Sequence, residues 1–366
     1  MKTIKMNTQK KGRQLVYVFV AAVLLSMAAS AEFDYIGQDD EPRVTDKLTP
    51  YELSVPSVRT TDRIGWSADG NNNDPDDWCA TPVALCIIAA SGYRDQLVHF
   101  SYNNRLDQFN TKKMRENNES TLGAATRFGL DTNLFYDLWA SDTNTGKSPA
   151  NALRPGHAAS GVYPGYDAAF ESAIQEVLAS SETNRFFWIQ AGPFEFAYRV
   201  LQEAVTHRGA TAENLRNTIL VSHSGVNEQS NKWRNEIDAI SGNKRAAAGA
   251  QMCVEEYGVG FYFTGAQGRD RFGSKTNMEA WDFVAWMKDS DDEAFQWMHN
   301  RFVVFTDFFQ NENPKNANRK GLDASDAGMA YTLLMGDYNG NLAKFSGVVS
   351  NCNWEASGTA PVASND

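Results

Sequence analysis

The stretch RIGWSADGNNNDPDDWCATPVALCIIAA, residues 63–90, decides how the chain is organised. Its beginning, residues 63–67, predicts a short β-strand. Its end, residues 77–90, is an apolar run of helical length and predicts a helix. The turn between them, residues 67–78, gathers Asp69, Asp74, Asp76 and Asp77 within nine positions. We therefore expect this strand, turn and helix to open an α/β domain with a functional site in the turn.

The rest of the chain continues the alternation of strands and helices. We predict strands at 63–67, 96–102, 133–136, 185–191, 218–222 and 258–264, and helices at 77–90, 111–128, 167–180, 194–207, 278–288, 291–302 and 326–335. Strands separated by helices imply right-handed βαβ units and a mostly parallel open sheet flanked by helices, followed by a helical C-terminal part. Two stretches rich in Asn, Ser and Gly, 140–166 and 225–252, are predicted to be loops or insertions.

The N-terminus has the composition of an export signal. Five basic residues precede the apolar run 15–25, and small residues follow up to Ala31, which predicts a signal peptide over residues 1–31. A retained membrane anchor is the alternative, but a spanning helix needs about 20 apolar residues. We further predict a polar leader over 32–62 that packs loosely, one domain over 63–352 and a disordered tail over 353–366. These features predict a periplasmic or secreted bacterial protein.

The charge of the chain restricts its partners. The formal net charge of −11 becomes −16 when the five basic residues of segment 1–31 are removed. An acidic surface repels phosphate backbones, so we expect no nucleic acid partner. We also expect no membrane association after cleavage, whereas a homo-oligomer is compatible with the sequence.

The four cysteines fit no zinc site. Cys79 and Cys86 are seven residues apart on one predicted helix, roughly 10 Å along its axis, which is too far for a disulfide. They are expected to be small core residues. Cys253 and Cys352 are candidates for a disulfide in an oxidising compartment, a pairing that the sequence alone does not establish.

Carboxylates this close together repel one another unless a cation lies between them, and oxygen ligands suit Ca²⁺. The turn also leaves the first predicted strand, where open parallel sheets bind ligands. One alternative is a helix N-cap formed by Asp76 or Asp77, which accounts for only one of the carboxylates.

A second alternative is a calcium-binding EF-hand loop. Asp69, Asn71 and Asn73 would occupy its positions 1, 3 and 5. Position 6 is then Asp74 where the loop needs glycine, and position 12 is Ala80 where it needs glutamate. We therefore expect a cation site that belongs to the α/β domain.

The turn Asp69-Gly-Asn-Asn-Asn-Asp74-Pro-Asp76-Asp77 resembles the N-terminal aspartate cluster of the nucleoside hydrolase-like superfamily. In that family a paired Asp-Asp opens the first helix and holds Ca²⁺. The Asp-Pro-Asp-Asp form is most similar to a bacterial branch of uncharacterised or carbohydrate-linked members.

Three later segments resemble the same family, in the same order along the chain. Asn103 and Asn104 follow the second predicted strand, where the family places an active-site asparagine. The run Ala191-Gly-Pro-Phe-Glu195 is similar to a Gly-Pro-Leu-Thr-Asn turn whose Thr carbonyl binds calcium, a position held here by Glu195. The run 325–330, Ser-Asp-Ala-Gly-Met-Ala, is similar to the His-Asp-Pro segment that begins a late helix, which assigns the last ligand to Asp326.

The resemblance implies a metal-assisted hydrolysis of a glycosidic bond through an oxocarbenium-like transition state. Ca²⁺ would be held by Asp69, Asp76, Asp77, the Glu195 carbonyl and Asp326. The catalytic residues would be Asp69 or Asp74 as the base, with His223 as a further candidate. The substrate would be contacted by Asp76, Trp78, Asn103, Asn104, Glu195 and Asn227.

The chain departs from the family pattern in ways that keep several functions open. The Asp-x-Asp-x-x-x-Asp-Asp spacing is not kept, Ser325 replaces the histidine that protonates a leaving base, and Phe196 replaces the asparagine of the third segment. We therefore expect a Ca²⁺-dependent glycosidase that acts on a carbohydrate. The alternatives are a ribonucleoside N-glycosidase and a non-catalytic sugar-binding protein of the same fold.

Overall fold

Six parallel strands form the central sheet. The computed structural model describes residues 57–71, 76–106, 110–140, 163–223, 231–237, 244–264, 271–274, 278–312 and 320–350. The strands of the sheet are β1 (Arg63–Ala68), β2 (Leu97–Tyr102), β3 (Phe135–Asp137), β4 (Phe186–Ala191), β5 (Thr218–Ser222) and β8 (Gly260–Phe263). Their order is β3-β2-β1-β4-β5-β8, and every neighbouring pair is parallel. The remaining strands, β6 (Asn231–Ile237) and β7 (Lys244–Ala247), form an antiparallel pair.

Ten α-helices lie between or after the strands of the described residues. They are α1 (Asp77–Ala90), α2 (Thr111–Arg127), α3 (Pro164–Leu178), α4 (Glu195–Thr206), α5 (Ala212–Arg216), α6 (Ala250–Tyr257), α7 (Ala280–Val284), α8 (Glu293–Glu312), α9 (Ala327–Met335) and α10 (Leu342–Val349). Helices α2, α8, α9 and α10 all contact α1, whereas α3 contacts α4 and α5. The helices therefore form two groups.

Alternate residues of each strand face these two groups, as the pleat of a strand requires. Ile64, Trp66 and Ala68 of β1 belong to the core cluster that contains α1. On the other face, Trp188 of β4 packs edge-on against Phe196 of α4. All fourteen residues of α1 are buried, as expected of a helix that is apolar on every side.

The strand order reverses between β1 and β4. From β1 the chain adds β2 and β3 on one side, then returns to place β4, β5 and β8 on the other. In open parallel sheets, the crevice at such a reversal, outside the carboxyl ends of the strands, is where ligands bind. The turn after β1 begins at Asp69 and the turn after β4 begins at Gly192, so these two turns border that crevice.

The predicted α/β class with a mostly parallel sheet flanked by helices is confirmed, and the described part of that sheet is parallel throughout. The helix predicted at 77–90 and the strand predicted at 218–222 have the observed bounds. The third strand starts two residues later than predicted, because residues Thr132–Leu134 form a 3₁₀ turn capped by the side chain of Asp131.

Other predictions of secondary structure are correct only in part. The stretch 225–252 contains β6, β7 and the start of α6 rather than loops alone, because its polar strands obtain backbone partners from each other. Helix α8 continues ten residues beyond its predicted end, and both α5 and α10 were missed. Most of the other predicted loop, residues 141–162, lies outside the described residues.

The end of the predicted leader belongs to the folded part of the chain. Asp62 is buried and accepts hydrogen bonds from Arg59 Nη2 at 2.8 Å and from Arg185 Nη2 at 2.6 Å. Residues 1–56 and 351–366 lie outside the described residues, and with them the predicted signal peptide, most of the predicted leader and the predicted tail. Among the helices that the structure describes, none is long and apolar enough to cross a membrane.

Candidate functional site

The turn after β1 places Asp69 at the mouth of the crevice. The Gly70 backbone N–H donates to Asp69 Oδ1 at 2.9 Å, and Gly70 has a φ of 59°, a left-handed conformation that favours glycine. The indole N–H of Trp78 donates to the Gly70 carbonyl at 3.1 Å. The turn is therefore anchored to α1, which fixes the position of the Asp69 carboxylate.

Three carboxylates meet where this turn enters α1. Ligand atoms of Asp69, Asp76 and Asp77 all lie within 4.8 Å of one another. Asp76 is the residue before the helix, but its side chain makes no capping hydrogen bond. The helix-cap alternative therefore does not describe this geometry. The N-terminal end of α1 still favours negative charge nearby through its dipole.

Asp77 is the most constrained of the three carboxylates. It is fully buried, and neither of its carboxylate oxygens accepts a hydrogen bond from a donor in the described part of the chain. A hydrogen bond to the Asp69 carboxyl forms only when one of the two is protonated. Burial, followed by the negative charges of neighbouring aspartates, raises the pKa of Asp77 well above its usual range. The two oxygens are thus suited to accept a ligand that brings positive charge.

The start of α9 completes the acidic group. Asp326 is the residue before α9, and its charge acts directly on Asp77. The hydroxyl of Ser325 donates to Asp76 Oδ2 at 3.4 Å. His223, which follows β5, shares a hydrogen bond between its Nε2 and Asp326 Oδ1. The structure thus brings together His223 and four of the five carboxyl residues that the sequence assigned to the metal.

The turn after β4 presses against Asp69. A Cβ atom added to Gly192 would lie 3.0 Å from the Asp69 Cβ and backbone nitrogen, and 3.2 Å from its Cγ. The backbone of Asp69 also donates to the Ala191 carbonyl at 3.2 Å. Glycine at position 192 is thus what allows the two turns of the crevice to approach each other.

The asparagines after β2 support the same turn. Asn117 of α2 donates through Nδ2 to the Asp69 carbonyl at 3.1 Å and to Asn103 Oδ1 at 2.9 Å. Asn103 has a φ of 58°, and its Nδ2 donates to Asn118 and to Asp137. Its side chain is fully engaged in this network. Whether Asn103 also contacts a substrate stays a prediction.

Asn104 lies closer to the sheet. Its backbone N–H donates to the Ala68 carbonyl at 3.0 Å, and its Nδ2 donates to the Ser67 hydroxyl at 2.7 Å. Its Oδ1 is buried and has no donor among the described residues. Asn104 therefore keeps one hydrogen-bond acceptor beside the carboxyl end of β1.

Glu195 is not brought to the carboxylates through its side chain. It begins α4, and its carboxylate accepts from Arg199 Nε at 2.5 Å and from the Ala248 backbone N–H at 2.9 Å. The ion pair lies within α4, and the hydrogen bond from Ala248 ties the start of α4 to the segment after β7. The metal contact assigned to the Glu195 carbonyl stays a prediction.

Three further site predictions have different outcomes. Trp78 is fully buried and packs edge-on against Phe308, with 4.8 Å between the ring centroids, and its predicted substrate contact stays a prediction. Asp74 and Asn227 lie outside the described residues. Cys352 does as well, so its pairing with Cys253 stays a prediction. Cys79 and Cys86 are buried in α1, as predicted.

The donor set fits a hard divalent cation. It consists of carboxylate oxygens, two of which, on Asp77, are buried without a donor group. Such oxygens suit Ca²⁺ or Mg²⁺ rather than a soft metal. The sequence did not lead us to predict the hydrogen bond from the Ser325 hydroxyl to Asp76, although the position of Ser325 directly before Asp326 indicated that it lies near the site.

Comparisons with models of protein families, with curated proteins and with solved structures found no match to this chain.

Proposed function

We propose that the protein is a cation-dependent hydrolase of glycosidic bonds, with calcium held by the aspartates at the crevice between β1 and β4. The observation that carries this proposal is the convergence of Asp69, Asp76 and Asp77 within 4.8 Å, with both oxygens of Asp77 buried and lacking a donor among the described residues. A nucleoside hydrolase-like fold is part of the proposal. It is supported by the order in which the four resembling segments approach one crevice.

The cluster is difficult to explain without a bound cation. Two unit charges 4.8 Å apart repel by roughly 3.5 kcal/mol at an effective dielectric constant of about 20. The neighbouring charge of Asp326 adds to this repulsion. A structural role would be expected to bring hydrogen-bond donors to Asp77, as buried polar groups normally have them.

The residues divide between holding the cation and handling protons. Asp76, Asp77 and Asp326 would hold it, and Ca²⁺ bound there would supply Lewis-acid activation of a water molecule and of sugar hydroxyls. Asp69 is the candidate general base, because the Gly70 N–H donates to its Oδ1 and so fixes the carboxylate beside Asp76 and Asp77. His223 orients Asp326 through their hydrogen bond, as residues beside metal ligands commonly do.

The test is calorimetric titration of the chelator-treated protein with Ca²⁺, for the wild type and for Asp76→Asn. The matched control is Asp291→Asn, which makes the same exchange at an exposed position before α8. We expect binding in the wild type and the control and none in Asp76→Asn. Absence of binding in the wild type contradicts the proposal.

Activity is then measured with p-nitrophenyl glycosides and with ribonucleosides, in Ca²⁺ and in chelator. Calcium-dependent cleavage of a glycoside supports the carbohydrate substrate, whereas cleavage of ribonucleosides alone favours the N-glycosidase alternative. Calcium and sugar binding without cleavage of either class leaves the non-catalytic binding protein.

A further inference from the structure

A row of buried polar residues crosses the sheet one step below the carboxylates. Ser67 of β1 is in register with Ser101 of β2 on one side and with Gln190 of β4 on the other. Since Ile189 pairs with Val221, the next residue of β5, Ser222, falls beside Gln190. All four side chains are buried. The row lies on the sheet face that packs against α3 and α4.

The two serines at the β2 end of this row have hydrogen-bond partners within the protein. The hydroxyls of Ser67 and Ser101 are 3.0 Å apart, and Asn104 Nδ2 donates to Ser67. Gln190 differs, because neither its Oε1 nor its Nε2 has a hydrogen-bond partner among the described residues, although its exposed fraction is 0%. Buried polar atoms nearly always have a partner, so the amide of Gln190 calls for a group that the described chain does not supply.

The position of Gln190 links it to the crevice. It lies on β4 two residues before Gly192, the residue that abuts Asp69, which is a distance of about 7 Å along an extended chain. The unpartnered Oδ1 of Asn104 lies beside the same end of β1, where the Asn104 backbone donates to the Ala68 carbonyl. Two amide side chains with unused hydrogen-bonding capacity therefore flank the base of the site.

The chemistry of these groups restricts the ligand. The Gln190 amide offers donors and an acceptor together, and Asn104 adds an acceptor. An anion would face the oxygens of both amides, and a cation would face the donors of Gln190. A hydroxyl both donates and accepts, so neighbouring hydroxyls of a neutral sugar ring match the set.

We propose that Gln190 is a specificity-determining residue that hydrogen-bonds a hydroxyl of the sugar part of the substrate. This inference rests on the proposed glycosidase function and extends it to a residue of the β4 strand. It also specifies the recognised group as a neutral polyol rather than an anionic or cationic ligand.

The test compares sugar binding by the wild type and by Gln190→Met, which keeps the length of the side chain and removes its polar atoms. The probes are D-ribose, D-xylose and D-glucose, titrated in saturating Ca²⁺ and followed by ligand-observed NMR. We expect at least one sugar to bind the wild type and to bind Gln190→Met about tenfold more weakly or worse, with Ca²⁺ affinity unchanged. The control is Gln175→Met, the same exchange at an exposed position of α3.

Two results overturn the inference while leaving the cation site intact. One is Ca²⁺ binding in the wild type with no binding of any of the three sugars. The other is equal sugar affinity in the wild type and Gln190→Met, which would mean that a buried water molecule satisfies the amide. If Gln190→Met does not fold, Gln190→Ala replaces it, since the smaller side chain leaves room for water, and the same loss is expected. If the wild type does not bind Ca²⁺, that result instead contradicts the proposed function itself.

Discussion

Replacing Asp77 with asparagine is expected to stabilise the calcium-free protein and to abolish its stabilisation by calcium. Asparagine keeps the shape of the side chain and removes its charge. Its amide N–H groups can also donate hydrogen bonds to the neighbouring carboxylates. The same substitution therefore acts in opposite directions with and without the cation, which a structural role for Asp77 does not predict.

The magnitude follows from the geometry of the cluster. Full charges 4.8 Å apart would repel by roughly 3.5 kcal/mol per pair at an effective dielectric constant of about 20. Burial and the charges of the neighbouring aspartates raise the pKa of Asp77 well above its usual range, so the charged form of this carboxyl is the disfavoured one. We therefore expect Asp77→Asn to raise the free energy of unfolding in chelator by about 1–2 kcal/mol. Calcium at 100 times its dissociation constant should stabilise the wild type by about 2.7 kcal/mol and the variant by nothing.

Urea denaturation followed by tryptophan fluorescence measures both effects, with each protein unfolded in EGTA and in saturating calcium. Asp291→Asn serves as the control and should behave as the wild type in both conditions, because its carboxylate is exposed. The reasoning is refuted if Asp77→Asn loses stability in EGTA, since the carboxylate would then accept hydrogen bonds that hold the fold. It is equally refuted if calcium stabilises the variant as much as the wild type.

Three further predictions concern residues around the sheet. Burial lowers the pKa of His99 to about 3, so the neutral ring contributes stability that is complete above pH 6.5 and is lost as the pH falls. Between pH 6.5 and 5 the free energy of unfolding should fall by about 2 kcal/mol on this account. Urea titrations of His99→Gln should not show this fall. Burial opposes ionisation of Asp62, but hydrogen bonds from Arg185 and Arg59 outweigh it and lower its pKa to about 2. The resulting stability is present above pH 3.8 and is lost as the pH falls towards 2, so Asp62→Asn should remove about 2 kcal/mol of acid-dependent stability in the same assay. Gly192→Ala should cost about 1–3 kcal/mol and weaken calcium binding measured by calorimetry, because the new methyl group displaces the neighbouring turn by a few tenths of an ångström; unchanged calcium affinity would contradict the proposed role of that close approach.

The fold could be predicted where one physical signal dominated. Helix α1 has the predicted bounds because its residues are apolar over helical length and follow a turn, and the central strands are short apolar runs between helices. The stretch that forms β6 and β7 is rich in polar residues, so its composition resembled a loop. Its pairing depends on cross-strand partners that no local pattern reveals.

In the candidate site, too, contacts between residues near in sequence could be predicted and contacts between distant residues could not. The meeting of Asp69, Asp76 and Asp77 follows from their place in one turn, so sequence spacing was sufficient to predict it. The hydrogen bond between His223 and Asp326 joins residues 103 positions apart, one after β5 and one before α9, and only tertiary packing places them together. The sequence also could not show that the ring of Trp78 faces the core.

Two buried carboxylates, one at each end of the sheet, have different surroundings. At the amino end the chain buries Asp62 and surrounds it with hydrogen bonds from Arg59 and Arg185, which lower its pKa. At the carboxyl end it buries Asp77 among other carboxylates and Gln190 without a described partner. The same sequence therefore satisfies a buried carboxylate where only stability is at stake. Buried polar groups that lack partners within the protein are expected at functional sites, where a bound group supplies the missing interactions. Asp77 and Gln190 both lie near the reversal of strand order, which is where open parallel sheets bind ligands.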